Sequence, residues 1–280
     1  MRLIVAVLLC IVTVATSPGI AAISDPNWTE TVFSVNRNSP GDTSGKLHTG
    51  LAWAPDGSDR LFVLEKNGRA RILSGSLTST TPVWSTFATM SPIFTDSECG
   101  LIGIAFDPDF ARNHYVYFFV TVSSSEQQIL RYDASSNVGT GRTVIRGALP
   151  TTGNNHDGGG IGFAADGKLY WSIGDLGSGT GVNSNLTSLA AKVGRANRDG
   201  SLPADNPFDD GAVPNNDFIF ARGFRNPFTM QIQPSTGQLW LNVETASAAG
   251  LEPVHRHHGC VRGPFGRIDD DEELECSEPR

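Results

Sequence analysis

His156 is the residue in this chain best placed to move a proton. It lies in Asn154-Asn155-His156-Asp157-Gly158-Gly159-Gly160. An imidazole changes charge near neutral pH, so it can take a proton from a hydroxyl. The block runs into Ile161-Gly162-Phe163-Ala164-Ala165-Asp166-Gly167-Lys168-Leu169-Tyr170-Trp171-Ser172-Ile173-Gly174-Asp175. That pattern is two strands joined by an Asp-Gly turn. The spacing sets a histidine in a glycine-rich turn at the mouth of a strand pair. Taken alone, the block better suits a turn histidine with no chemistry.

The strand pair has three counterparts. One is Leu51-Ala52-Trp53-Ala54-Pro55-Asp56-Gly57 followed by Arg60-Leu61-Phe62-Val63-Leu64-Glu65. Another is Gly103-Ile104-Ala105-Phe106-Asp107-Pro108-Asp109-Phe110 followed by Tyr115-Val116-Tyr117-Phe118-Phe119-Val120. The last is Met230-Gln231-Ile232-Gln233-Pro234-Ser235-Thr236-Gly237 followed by Gln238-Leu239-Trp240-Leu241. Trp53, Phe106, Phe163 and Ile232 occupy matching positions, at successive spacings of 53, 57 and 69 residues. Third strands follow at Ala70–Leu73 and Gln128–Tyr132. Such a period predicts an all-β fold, a β-propeller of four-stranded blades with long loops. A β-sandwich with coincidental turns is the competing architecture. No long amphipathic helix is expected, only a short turn within Leu186–Val193. In a propeller, loops from different blades gather at one end of a central channel.

The chain has 280 residues, 39% hydrophobic and 18% charged, enough for one large core or two small ones. The net charge of −8 and the lack of a dense basic patch argue against nucleic acid as a partner. Arg2, an apolar run from Leu3 to Ala15, and the small residues Gly19, Ala21 and Ala22 form a secretory-leader pattern. The apolar run is too short for a membrane span, which needs ~20 residues. The expected organisation is a leader over 1–22, a partial propeller over 23–244, and an irregular, divergent tail over 245–280. A secreted or periplasmic protein with no membrane attachment after cleavage follows. Beyond the leader, which contains Cys10, the cysteines are Cys99, Cys260 and Cys276, an odd number. Asn27-Trp28-Thr29 and Asn185-Leu186-Thr187 fit the N-glycosylation pattern, relevant in a eukaryotic host.

Several blocks together resemble the soluble glucose/sorbosone dehydrogenase family, the aldose sugar dehydrogenases. They are Gly50 to Lys66, Glu98 to Thr121, Leu130-Arg131-Tyr132, Asn154 to Asp175, Asp199 to Phe208, and Gly223 to Trp240. The most specific are Gly100 to Phe110, Asn155-His156-Asp157-Gly158-Gly159, Asp199 to Phe208, and Gly223-Phe224-Arg225-Asn226-Pro227. The resemblance implies a six-bladed propeller that uses pyrroloquinoline quinone and calcium. It implies that His156 is the general base on the anomeric hydroxyl of a small-molecule sugar while hydride passes to the quinone. It implies that Arg225 stabilises charge on the quinone, with Asn226 as a second cofactor contact. Asn155 and Glu98 fall where the sugar binds. Three departures stand out: Phe224 replaces a histidine, and Glu98 and Leu176 each replace a glutamine. The last two point to the looser aldose-type branch rather than to glucose.

The resemblance ends after Glu244. Family members continue with a glycine-rich loop whose carbonyls hold the calcium, then two more blades. Six blades at the observed spacing need more than about 300 residues, so about four are encoded here. An open arc of four leaves sheet edges and blade faces uncovered. His255, His257, His258 and Cys260 are zinc or copper ligand types, but no second cluster at fixed spacing accompanies them, and a divergent tail is the preferred reading. Arg225 has an alternative as a buried structural pair with an acid such as Asp175. Asp107, Asp109, Asp166 and Asp199 read as turn residues, Trp53, Trp171 and Trp240 as blade core, and His48 and His114 as loop or surface. The competing function is a non-catalytic secreted propeller that binds a protein or glycan.

Overall fold

A computed structural model describes residues 47–244, apart from 76–78, 80–81, 179, 210–215 and 234–235, together with residues 258–261. The leader pattern at 1–22 and most of the tail lie outside the described residues. Four antiparallel sheets follow one another along the chain. The first holds β1 (His48–Trp53), β2 (Arg60–Glu65), β3 (Arg69–Ser74) and β4 (Val83–Thr89). The second holds β5 (Leu101–Phe106), β6 (Tyr115–Ser123), β7 (Glu126–Asp133) and β8 (Thr140–Pro150). The third holds β9 (Ile161–Phe163), β10 (Leu169–Ile173), β11 (Lys192–Ala196) and β12 (Ile219–Arg222). The fourth holds β13 (Asn226–Ile232), β14 (Leu239–Glu244) and β15 (His258–Val261).

Within each sheet, strands pair in sequence order. The first strands adjoin across sheets: β1 lies beside β5, β5 beside β9, and β9 beside β13. This is the wedge arrangement of a propeller, with first strands innermost. Trp53, Phe106, Phe163 and Ile232 are each the last residue of such a strand, as their matching positions predict.

The second strands explain why the repeat is legible. β2 and β10 are buried at every residue, and β6 at seven of its nine. A strand covered on both faces reads as a continuous apolar run rather than an alternating one. Three clusters fill the gaps between adjacent sheets. Phe62, Phe87 and Phe118 pack between the first two, with Phe62 and Phe87 edge to face at 5.1 Å. Tyr117, Phe119, Leu169 and Trp171 pack between the second and third. Tyr170, Val193, Phe224 and Leu241 pack between the third and fourth. Of the three tryptophans expected in blade cores, Trp171 is fully buried and Trp53 and Trp240 are half-buried.

Some expectations need correction. The tail expected to be irregular contributes β15, whose backbone pairs with β14 from Leu239↔Val261 to Asn242↔His258. An uncovered strand edge offers unpaired N–H and C=O groups, and a nearby segment satisfies them whatever its side chains. The helical turn expected within Leu186–Val193 lies earlier, at Thr180–Val182, while Lys192 and Val193 begin β11. One further turn of helix, α1 (Phe110–Asn113), follows Asp109, and His114 closes it at φ 55°. Among the described residues, no helix is long and apolar enough to cross a membrane.

The Asp199 to Phe208 block proves architectural. Asp199 Oδ1 accepts the Ser201 amide at 3.0 Å and its hydroxyl at 2.6 Å. Arg195, buried on β11, donates to Asp205 at 2.8 and 3.0 Å, to Asn206 at 2.8 Å, and to Asp166 at 2.9 and 3.2 Å. The guanidinium thus ties the β9–β10 turn to the 203–209 loop. Arg195→Met is expected to destabilise the fold by about 1–2 kcal/mol, since buried Asn206 loses a charged donor while the exposed Asp166 and Asp205 regain water. A urea midpoint that moves by less than about 0.5 kcal/mol at constant m would remove this assignment.

Candidate active site

His156 sits in the loop between β8 and β9, held in the left-handed region at φ 58°. Its ring Nδ1 meets Asp175 Oδ1 at 2.5 Å, with the two side chains 9% and 10% exposed. Asp175 follows the end of β10, and its Oδ1 also accepts the Gly177 amide at 2.9 Å. The carboxylate is therefore fixed before it meets the imidazole. Gly174 makes the junction possible, because a Cβ there would collide with the carbonyl oxygens of both His156 and Arg225. The Asp175 amide donates to that Arg225 carbonyl at 2.7 Å.

Glu98 supplies a second link, from the loop ahead of β5. Its Oε2 accepts the backbone N–H of His156 at 2.8 Å and the side-chain Nδ2 of Asn226 at 3.1 Å. Asn226 begins β13, and its Nδ2 also lies 3.3 Å from Glu244 Oε2. Glu244 Oε1 in turn lies 3.4 Å from Arg225 Nη1. Asn226 is buried, yet its Oδ1 has no hydrogen-bond partner among the described residues. Such an orphan acceptor suits a ligand N–H or O–H. Arg225 is one-third exposed, with both of its contacts through Nη1. Asn155 is half-buried, its Oδ1 against Gly177.

Asp157, next in the chain, faces the opposite way. Thr151 Oγ1 donates to its Oδ1, Cys99 Sγ lies 3.1 Å from its Oδ2, and Gln127 Nε2 holds its carbonyl at 3.2 Å. Burial, then the adjacent Asp157 carboxylate, pushes the Cys99 thiol up to about 12. At pH 8 the group is far below that value and stays S–H. Cys99 is expected to alkylate on the order of 10³-fold more slowly in the native protein than in denaturant. Mass analysis of the peptide carrying Cys99 isolates it from the other cysteines, and equal rates would contradict the buried placement.

The structure thus brings His156, Glu98 and Asn226 into direct contact and joins Arg225 to them through Asp175 and Glu244. It separates Arg225 from the acid suggested for it: the Asp175 side chain serves His156, and Glu244 pairs with the guanidinium. Phe224 is buried in the third cluster, and Leu176 packs against the second. Asp107, Asp166 and Asp199 each accept the amide two residues on, the behaviour of turn residues. Asp175 and Glu244 were visible at the ends of their blocks but carried no separate signal, because a strand-end acid is also a common turn residue. Among the described residues, no group of three or more His, Cys, Asp or Glu side chains is placed to hold a metal ion.

Residues 47–248 match the Glucose / Sorbosone dehydrogenase family. The chain belongs to that family. Its similarity to the quinoprotein glucose dehydrogenase B of Acinetobacter calcoaceticus is 26% identity, over 77% of this chain and 48% of that protein. With the aldose sugar dehydrogenase YliI of Escherichia coli K12 it is 28%, over 69% of this chain and 52% of the relative. Among solved structures, the pyrroloquinoline quinone-bound aldose sugar dehydrogenase of Streptomyces coelicolor superposes with a TM-score of 0.58 at 27% identity, covering 70% of this chain and 56% of that one. This glucose/sorbosone dehydrogenase family chain spans about half the length of the curated relatives it matches.

Proposed function

We propose that the protein is an exported aldose dehydrogenase that oxidises the anomeric hydroxyl of a sugar, with His156 as general base and pyrroloquinoline quinone held by Arg225 and Asn226. One observation carries the reading: a buried carboxylate, Asp175, fixes one ring nitrogen of His156 at 2.5 Å, while its backbone amide holds the carbonyl of Arg225. Occupation of Nδ1 leaves Nε2 to receive the proton of a sugar hydroxyl, and Asp175 stabilises the imidazolium that forms. The donor set fits the cofactor. Its carboxylates and quinone oxygens call for Arg225, and its ring N–H calls for an acceptor such as Asn226 Oδ1. When bound, the quinone supplies the hydride acceptor. Calcium accompanies it by resemblance, and no step here depends on that ion. The leader over 1–22, the partial propeller over 23–244 and the divergent tail over 245–280 belong to the same reading.

A quinone absorbance titration of the protein with and without calcium, followed by an aldose and an artificial electron acceptor, tests it. Saturable uptake followed by aldose-dependent reduction of the acceptor is expected. Absence of uptake would leave the non-catalytic binding propeller as the better account.

A further inference from the structure

We infer that Glu98 is a positioning residue, a strap that sets His156 against Asn226, rather than only a sugar contact. Three segments that are far apart in sequence meet at one oxygen. Glu98 comes from the loop before the second sheet, His156 from the loop before the third, and Asn226 opens the fourth. Glu98 Oε2 takes the His156 amide at 2.8 Å and Asn226 Nδ2 at 3.1 Å. Glu98 itself is exposed, but both donors are buried, His156 at 7% and Asn226 at 2%. A buried donor has little water to fall back on, so losing the acceptor costs far more than an exposed carboxylate suggests. The strap also restrains a left-handed residue: His156 sits at φ 58°, a conformation that a non-glycine residue keeps only when its surroundings hold it.

The bonds extend in both directions. The second hydrogen of Asn226 Nδ2 faces Glu244 Oε2 at 3.3 Å, and Glu244 Oε1 lies 3.4 Å from Arg225 Nη1. Asp175, His156, Glu98, Asn226, Glu244 and Arg225 thus form one polar chain, with the imidazole near one end and the guanidinium at the other. Both donors use the same oxygen, Oε2. A glutamine here could keep its carbonyl oxygen on both donors and lose only the charge, whereas an apolar residue offers no acceptor.

The test compares Glu98→Gln and Glu98→Leu in the whole chain, labelled with ¹⁵N-histidine. The His156 amide signal is assigned by its loss in His156→Gln. In Glu98→Leu, its hydrogen exchange is expected to rise at least about tenfold, and in Glu98→Gln less than about threefold. An unchanged His156 amide in Glu98→Leu overturns the strap, whatever happens to activity. The rate arm alone rests on the sugar-dehydrogenase reading. There, Glu98→Leu is expected to lower kcat about tenfold or more with KM within about threefold, and Glu98→Gln to recover most of the loss. A raised KM with kcat retained makes Glu98's part in the reaction that of a sugar contact and removes its role in positioning the base. Failure of the unaltered protein to take up the quinone defeats the sugar-dehydrogenase reading while the amide measurement still decides the strap.

Discussion

His156→Asn is expected to lower aldose oxidation by about 10²–10⁴-fold at saturating quinone, with quinone uptake unchanged. The sugar hydroxyl must lose its proton as hydride leaves the same carbon, and His156 is the imidazole whose ring the Asp175 carboxylate holds, whereas His114 lies beyond α1, edge to face with Phe110 at 5.8 Å. Asparagine can still donate from the 156 amide to Glu98, so the turn and the strap have reason to persist. The measurement is an initial rate with an artificial acceptor, paired with a quinone titration. A variant that stays fully active would exclude His156 as the base. One that loses both uptake and rate would indicate a collapsed site rather than a missing base.

Asp175→Asn is expected to cost nearly as much, up to about 10⁴-fold in kcat, with folding intact. The carboxylate accepts from Nδ1 at 2.5 Å and so holds the proton on that nitrogen. An amide of the same shape can donate instead, which places the ring proton on Nε2, the nitrogen that must accept from the sugar. The Asp175 backbone bond to Arg225 is untouched by the change. A loss that appears in kcat, with thermal midpoint and quinone affinity retained, is the expected pattern. Wild-type kcat in this variant would mean that the pair is structural.

Much of this arrangement is written in local sequence. The four strand–turn–strand units are readable because second strands such as Leu61–Leu64, Val116–Val122 and Leu169–Ile173 are covered on both faces and are apolar at nearly every position. The Asp-Gly and Asp-Pro turns are readable because the aspartates at 107, 166 and 199 cap their own turns. His156 stands out because glycines crowd it. The partners of these residues were not readable. Asp175 could have served Arg225 or His156, and sequence offers no distance between the ends of β10 and β8. Glu98 looked like a pocket residue because its role as an acceptor needs two donors that lie 58 and 128 positions away. β15 escaped notice because backbone pairing to an open edge asks almost nothing of side-chain type.

The chain's own order of residues determines the sheets and their succession and marks out the histidine proposed to accept the proton, since each depends on neighbours within about one blade. Which oxygen straps the imidazole was settled only where separate blades meet; which acid faces the imidazole and which carboxylate answers Arg225 were settled by the strand pairs of the third and fourth sheets, each of which joins residues 19 positions apart. Those choices depend on distances of a few ångströms between segments that only the folded sheets bring together.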